Sequence, residues 1–234
     1  MRFTAGGVSV LMFLLLACAA PGGGTESDLV YLTDPEGAKR FMHSDVHADY
    51  FPLATYLEYE QILTFCGPAT MAAVLNSLAI ARPSPRRLYP YGLFTQDLLF
   101  TPANQDIKSY ATVENEGLVL TEIAAFLNNL GVTAEYHHSL DLTTPQLREI
   151  IKETLQDPNK RLIVNYSRSG IGQVGGGHIS PLAAFDSASD QVLILDVAKY
   201  KYAPVWVSVG MLHASMNEED PSSNKSRGIV IVSK

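Results

Sequence analysis

Only two cysteines, Cys18 and Cys66, occur in the 234 residues of the chain. That scarcity excludes a disulfide framework, and it excludes a thiolate cluster of the kind that holds zinc or cadmium. Long basic runs are missing too. With 17 Lys and Arg against 24 Asp and Glu, a formal charge of -7, no segment could neutralise a row of phosphates, so a nucleic-acid partner is not expected. The chain also lacks internal repeats and long low-complexity segments. Near its start the apolar stretch runs only from Val8 to Leu16, short of the roughly 20 residues that a membrane-spanning helix needs.

What is present is the balance of a folded protein, 47% hydrophobic and 18% charged, enough for one domain with a substantial core. Arg2, the apolar stretch and the sequence Leu15-Leu16-Ala17-Cys18 read as an export signal ending in a lipobox. Residues 1–17 are then a signal peptide, and 18–39 a lipidated N-terminus and glycine-rich tether. Residues 40–234 form the domain. The expected location is outside the cytoplasm, as a periplasmic or cell-surface lipoprotein held to a membrane through Cys18. Lipidation of Cys18 leaves Cys66 without a disulfide partner. A lone thiol in an oxidising compartment is either a reactive group or a small buried hydrophobe.

Met71, Val74, Leu75 and Leu78 recur at helical spacing, which predicts a buried helix over 67–80 beginning beside Cys66, with Pro68 in its first turn. Further helices are expected at about 120–130, opened by Thr121, and at 144–156. The last third carries short Val- and Ile-rich runs, RLIVNYS, HISPLAAFD, QVLILDVA, APVWVSV and GIVIVS, which predict an antiparallel sheet. Helices first and strands later give an α+β class with the Cys66 helix packed on the sheet.

A helix N-terminus favours a thiolate through its aligned dipoles and free N–H groups, so Cys66 is a candidate nucleophile. An imidazole is needed to carry the proton, and His178, after Gly175-Gly176-Gly177, is the best placed of six histidines. Asp196 interrupts an apolar strand-like run, where a carboxylate needs a partner; orienting an imidazole provides one. His43 with His47, and His137 with His138, read as solvated surface pairs, and no metal site is expected.

The segments FCGPATMAAVLNSL (65–78), FTQDLLF (94–100), NYSRSGIGQVGGGHISPLAAFD (165–186), LILDVAKYKYAPVWV (193–207) and SRGIVIVSK (226–234) resemble, in order, the catalytic domain of short prokaryotic phytochelatin synthases. The resemblance implies a papain-like fold with Cys66 as nucleophile, His178 as base and then acid, and Asp196 as orienting carboxylate. It implies attack on glutathione or a related γ-glutamyl peptide, release of glycine, and a γ-glutamylcysteinyl thioester resolved by water or a second glutathione. Asn165, Gly177, Asp220 and Arg227 match positions around that acyl group. No cofactor is implied; heavy-metal ions would act through metal–glutathione thiolates. A homodimer is compatible with this reading. Papain-like enzymes usually carry an oxyanion-donating glutamine six residues before the cysteine, where this chain has Glu60. Gln61, one residue later, is the expected donor, because a carboxylate cannot donate unless protonated. The rival readings are a papain-like peptidase acting on another small peptide, and a surface lipoprotein that binds a metal or a partner without turnover.

Overall fold

The computed structural model describes Met1 and residues 29–234, so the signal peptide and the lipidation of Cys18 lie outside the described residues. Val30–Tyr31 (β1) and Pro35–His43 (α1) fall largely within the segment read as a tether. β1 pairs with Val205 and Trp206, and the Leu32 N–H donates to the Pro204 carbonyl. The folded body therefore begins before residue 40.

The other strands are β2 (Thr133–His138), β3 (Lys160–Ser167), β4 (Gly177–Asp186), β5 (Gln191–Ile194), β6 (Val205–Ser208), β7 (Glu219–Asp220), β8 (Lys225–Ser226) and β9 (Gly228–Ser233). Six of them join β1 in one antiparallel seven-stranded sheet in the order β1-β6-β5-β4-β3-β9-β2, while β7 and β8 form a separate hairpin. The helices are α2 (Tyr50–Tyr56), α3 (Cys66–Ser77), α4 (Pro102–Ile107), α5 (Tyr110–Glu116), α6 (Leu120–Asn128), α7 (Thr144–Gln156) and α8 (Val209–Asn217).

Side chains alternate across a strand, so Leu162, Val164 and Tyr166 of β3 face one core and Ile163 the other. The first core packs Met71, Leu75, Ile123 and Leu127 of α3 and α6 against Ile163, Ile179, Leu193 and Val230. The second packs Leu147, Ile151, Leu212 and Met216 of α7 and α8 against Leu162, Val164, Leu182 and Ile194. Burial on both faces explains why the central stretches of β3 and β4, residues 162–164 and 182–185, are apolar at consecutive positions, without the alternation of a sheet wetted on one side. The architecture is α+β, as expected, with the Cys66 helix packed on an antiparallel sheet. Two details differ from the linear reading. Helices α7 and α8 cover the far face, and β2 precedes α7, so helices and strands are interleaved. The helix at 120 starts at Leu120, where the Glu122 carboxylate accepts from the Val119 N–H at 2.8 Å and closes the first turn.

α3 is fixed at both ends. Near its start, the Thr70 hydroxyl donates to the Ile179 carbonyl of β4 at 3.0 Å. At its end, Arg161 of β3 donates to the Ser77 carbonyl at 3.1 Å and to Asp49 at 2.9 Å, a buried cation on the negative end of the helix. Truncating a fully buried residue here, Leu75 for example, would cost about 2–5 kcal/mol.

Candidate active site

Cys66 is the first residue of α3, where N–H groups have no partner within the helix. His178 is the second residue of β4, opposite Tyr166 in the register with β3, and the Tyr166 ring meets the imidazole edge-on at 5.8 Å. The bond from Thr70 to Ile179 therefore joins the thiol helix to the residue after the imidazole. Nε2 of His178 lies 2.9 Å from Asp196 Oδ1, leaving Nδ1 for the thiol. Nucleophile, base and orienting carboxylate come together as expected.

Asp196 is not within a strand. β5 ends at Ile194, one pair beyond a register shift in β4 between Leu182 and Ala184, and Asp196 sits in the irregular segment that follows. Its environment holds a residue that sequence reasoning missed. Arg168 donates to both carboxylate oxygens, at 2.7 and 3.0 Å, and to Gln173 at 2.6 Å, and its guanidinium rests 5.0 Å above the Tyr202 ring. The Ala198 N–H adds a further bond at 2.8 Å. A buried carboxylate in an apolar run was the available signal for such a cation, though nothing in the sequence said which one.

These contacts set the protonation states. Burial opposes the charged form of Asp196, yet bonds from His178 and Arg168 outweigh it and hold the carboxyl well below its usual range. Burial also opposes the imidazolium of His178, but bonds to Asp196 and Cys66, with their negative charge, push it up to about 9. The imidazole is thus kept ready to protonate a leaving group.

Cys66 and His178 open onto a cleft of about 220 Å³ lined also by Leu118, Asn165, Gly177, Asp220 and Arg227. At its polar end Arg227 donates to Asn165 Oδ1 at 3.0 Å and lies 3.5 Å from Asp220, while Asn165 donates to Asp220 at 3.4 Å. The Nε of Arg227 is buried without a partner. A Cβ on Gly177 would come within 2.2 Å of Arg227, so the missing side chain is what lets the guanidinium lie against β4. All four residues expected around an acyl group share the cleft.

Gln61 does not. Its side chain is exposed, and it borders a different hollow with Tyr59 and Lys199. Buried Gln96 fixes the turn, accepting from the Gln61 N–H at 3.1 Å and donating to the Tyr59 carbonyl at 3.0 Å, while the Glu60 N–H donates to Val197 at 3.0 Å. The turn is thereby clamped in the register that turns Glu60 inward, and the expected shift placing Gln61 at the thiol does not occur. Functional atoms of Glu60, Cys66 and His178 lie within 4.8 Å of one another. Elsewhere, His43 and His47 bond backbone carbonyls at 2.7 and 2.8 Å, and His137 and His138 are consecutive in β2 and so point to opposite faces.

A helix-borne thiol, an imidazole and a buried carboxylate beside a small polar cleft define a thiol-nucleophile acyl-transfer site. The phytochelatin synthase family model matches residues 25–229, and the chain belongs to that family. It is 31% identical over 203 residues to glutathione gamma-glutamylcysteinyltransferase 3 of Lotus japonicus, an alignment covering 86% of this chain and 41% of the relative. Identity to the Schizosaccharomyces pombe glutathione gamma-glutamylcysteinyltransferase is 29%, over 79% of this chain and 43% of that protein. The chain thus spans about two fifths of the length of these curated relatives. Among solved structures, the peptidase domain of Streptococcus ComA matches with a TM-score of 0.44 at 17% identity, over 76% of this chain and 98% of that domain.

Proposed function

We propose that this domain cleaves glutathione at the amide between its cysteinyl and glycyl residues, through a thioester on Cys66. The observation that carries the reading is the two-ended cleft. One end presents Cys66 and His178, and the other pairs Asp220 with Arg227 across Asn165. A γ-glutamyl group carries an ammonium and a carboxylate on one carbon, and Asp220 and Arg227 can take one each. The names of the curated relatives point to the same substrate.

In the first half-reaction the Cys66 thiolate attacks the cysteinyl carbonyl, and the charge that develops on oxygen is met by the Cys66 N–H. His178 then gives its proton to the departing glycine amine. In the second half, His178 takes a proton from water, which attacks the thioester and frees γ-glutamylcysteine. Hydrolysis outweighs peptide extension, because a cleft of about 220 Å³ holds one small acyl group and leaves little room for a second glutathione. No cofactor takes part. Heavy metals act through thiolate complexes of glutathione that serve as better acceptors.

We further propose that the protein is exported and held to a membrane by lipid on Cys18; the lipobox-like sequence supports this. None of the helices among the described residues is long and apolar enough to cross a membrane. Detergent partitioning should be lost in Cys18→Ala. Retention of that variant in the membrane fraction would replace the lipid with another anchor.

Product analysis at fixed glutathione, with and without cadmium, tests the catalytic reading. The expected product is γ-glutamylcysteine with an equal amount of glycine. A majority of the longer peptide (γ-glutamylcysteinyl)₂-glycine would make the domain a transpeptidase, and no glycine at all would favour the other-peptide or non-catalytic readings.

A further inference from the structure

We propose that Glu60 is a catalytic oxyanion donor working in its acid form. Its carboxyl keeps a proton and offers it, as a hydrogen bond, to the oxygen that gains charge when Cys66 attacks a carbonyl carbon. This rests on the acyl-transfer reading above.

Glu60 is 5% exposed, and its Oε2 is buried with no partner. It does not line the acyl-binding part of the cleft; it reaches the Cys66–His178 pair from the side of Tyr200 and Val197, within 4.8 Å of both functional atoms. The carbonyl oxygen of a substrate under attack by Sγ must lie close to that sulfur, so an acid beside the thiol is within reach of it. The Tyr200 hydroxyl donates to the other oxygen, Oε1. Burial and that bond keep Tyr200 in its phenol form, so it remains the donor and the carboxyl proton belongs on Oε2.

Charge counting favours the acid. Arg168 and His178 supply two cations, and Asp196 and the attacking thiolate supply two anions. An ionised Glu60 would be a third anion with no counterion, in a place where unpaired charge is costly. Burial raises Glu60 above the ordinary glutamate range; the Tyr200 bond and the charges of His178 and Arg168 pull against this, and Asp196 adds to it.

During attack the S–C bond forms as the carbonyl π pair moves onto oxygen, and the oxyanion accepts from the Cys66 N–H and from Glu60. Neither proton is transferred. Collapse restores C=O and breaks C–N, and the leaving amine takes its proton from His178.

The test compares glycine release from glutathione by the parent, Glu60→Gln and Glu60→Ala across pH, together with their infrared spectra. Glu60→Ala should lose about 10²–10³-fold in kcat, the usual effect of deleting an oxyanion donor. Glu60→Gln has a donor that cannot ionise, so its activity should persist up to the limit set by His178 at about 9. The parent should fall at lower pH, by about tenfold for each unit past its midpoint. A carboxylic-acid C=O band of the parent should be absent from Glu60→Gln. Coincident profiles for parent and Glu60→Gln, a Glu60→Gln as impaired as Glu60→Ala at every pH, or no acid band assignable to Glu60 would each overturn the proposal. If the parent releases no glycine, the substrate reading fails, and the infrared band still decides the state of Glu60.

Discussion

The two ends of the cleft are built from different material. The catalytic end stands on α3 and the start of β4, tied together by Thr70 and backed by Asp196 and Arg168, both almost wholly buried. The polar end takes Asn165 from β3, but its charged pair comes from the short β7–β8 hairpin and the residue beyond it. At the first end Asp196 meets two cationic partners, Arg168 and His178, whereas at the second Asp220 meets Arg227 alone; each end keeps a buried polar atom with no partner, Oε2 of Glu60 at the first and Nε of Arg227 at the second. The difference separates two tasks. On the proposed reading, one end keeps a proton in place between thiol and imidazole, and the other takes the charged γ-glutamyl group.

Substitutions at the two ends should therefore fail in different ways. The largest effect is expected from Cys66→Ser and His178→Ala, each lowering kcat by about 10³-fold or more. Either variant within tenfold of the parent would remove that residue from the chemistry. Asp196→Asn should lose about 10²-fold or more in kcat while keeping some turnover, since the base itself remains. It should also unfold more easily, because Arg168 is left as a buried cation without its anion, a break worth about 3–5 kcal/mol. A parallel loss in kcat and in thermal stability is the signature to look for. Asp220→Asn, at the other end, should raise KM while leaving kcat and stability much less changed, and an equal loss of kcat would erase the distinction between the ends.

Gly177→Ala tests the joint between them. The added methyl displaces the Arg227 guanidinium from Asn165 and Asp220, so KM for glutathione should rise about tenfold, near 1.4 kcal/mol. A change confined to kcat would place Gly177 with the catalytic groups.

The last expected effect is a slope. His178 binds its proton more tightly when folded, up to about pH 9, than in the unfolded chain, near 6.5. The resulting stability is complete below about 6.5 and is lost as pH rises through about 9. Melting temperature followed over that window should fall, and the fall should be shallower in Cys66→Ser, which lacks one of the groups holding the proton. An equal slope in both proteins would contradict the link between thiol and imidazole.

Sequence pattern disclosed the elements whose side chains are determined by burial. α3 shows its core spacing, and β3, β4 and β9 carry apolar residues at consecutive positions, 162–164, 182–185 and 229–232, as strands covered on both faces do. Cys66 could be singled out as a lone thiol at a helix start, His178 by the three glycines before it, and Asp196 as a carboxylate in an apolar run. The pairing of Asp196 with Arg168 was hidden, since it joins residues 28 positions apart through a glycine-rich loop with no periodicity. The turn before Cys66 was misread for a similar reason. Which of Glu60 and Gln61 turns inward depends on Gln96, 35 positions beyond Gln61 and clamping the turn from outside. Short elements such as β7, β8 and α8 carried too few residues, or too little amphipathic contrast, to stand out.

The central claim is that glutathione is opened by Cys66 through a covalent acyl-enzyme. Rapid acid quench of the protein with glutathione, followed by intact-mass and peptide mapping, measures it directly. The account predicts a γ-glutamylcysteinyl adduct on Cys66, formed together with one equivalent of glycine and decaying to γ-glutamylcysteine. Glycine release with no adduct on Cys66 under any quench time, or release that survives in Cys66→Ser, would contradict it.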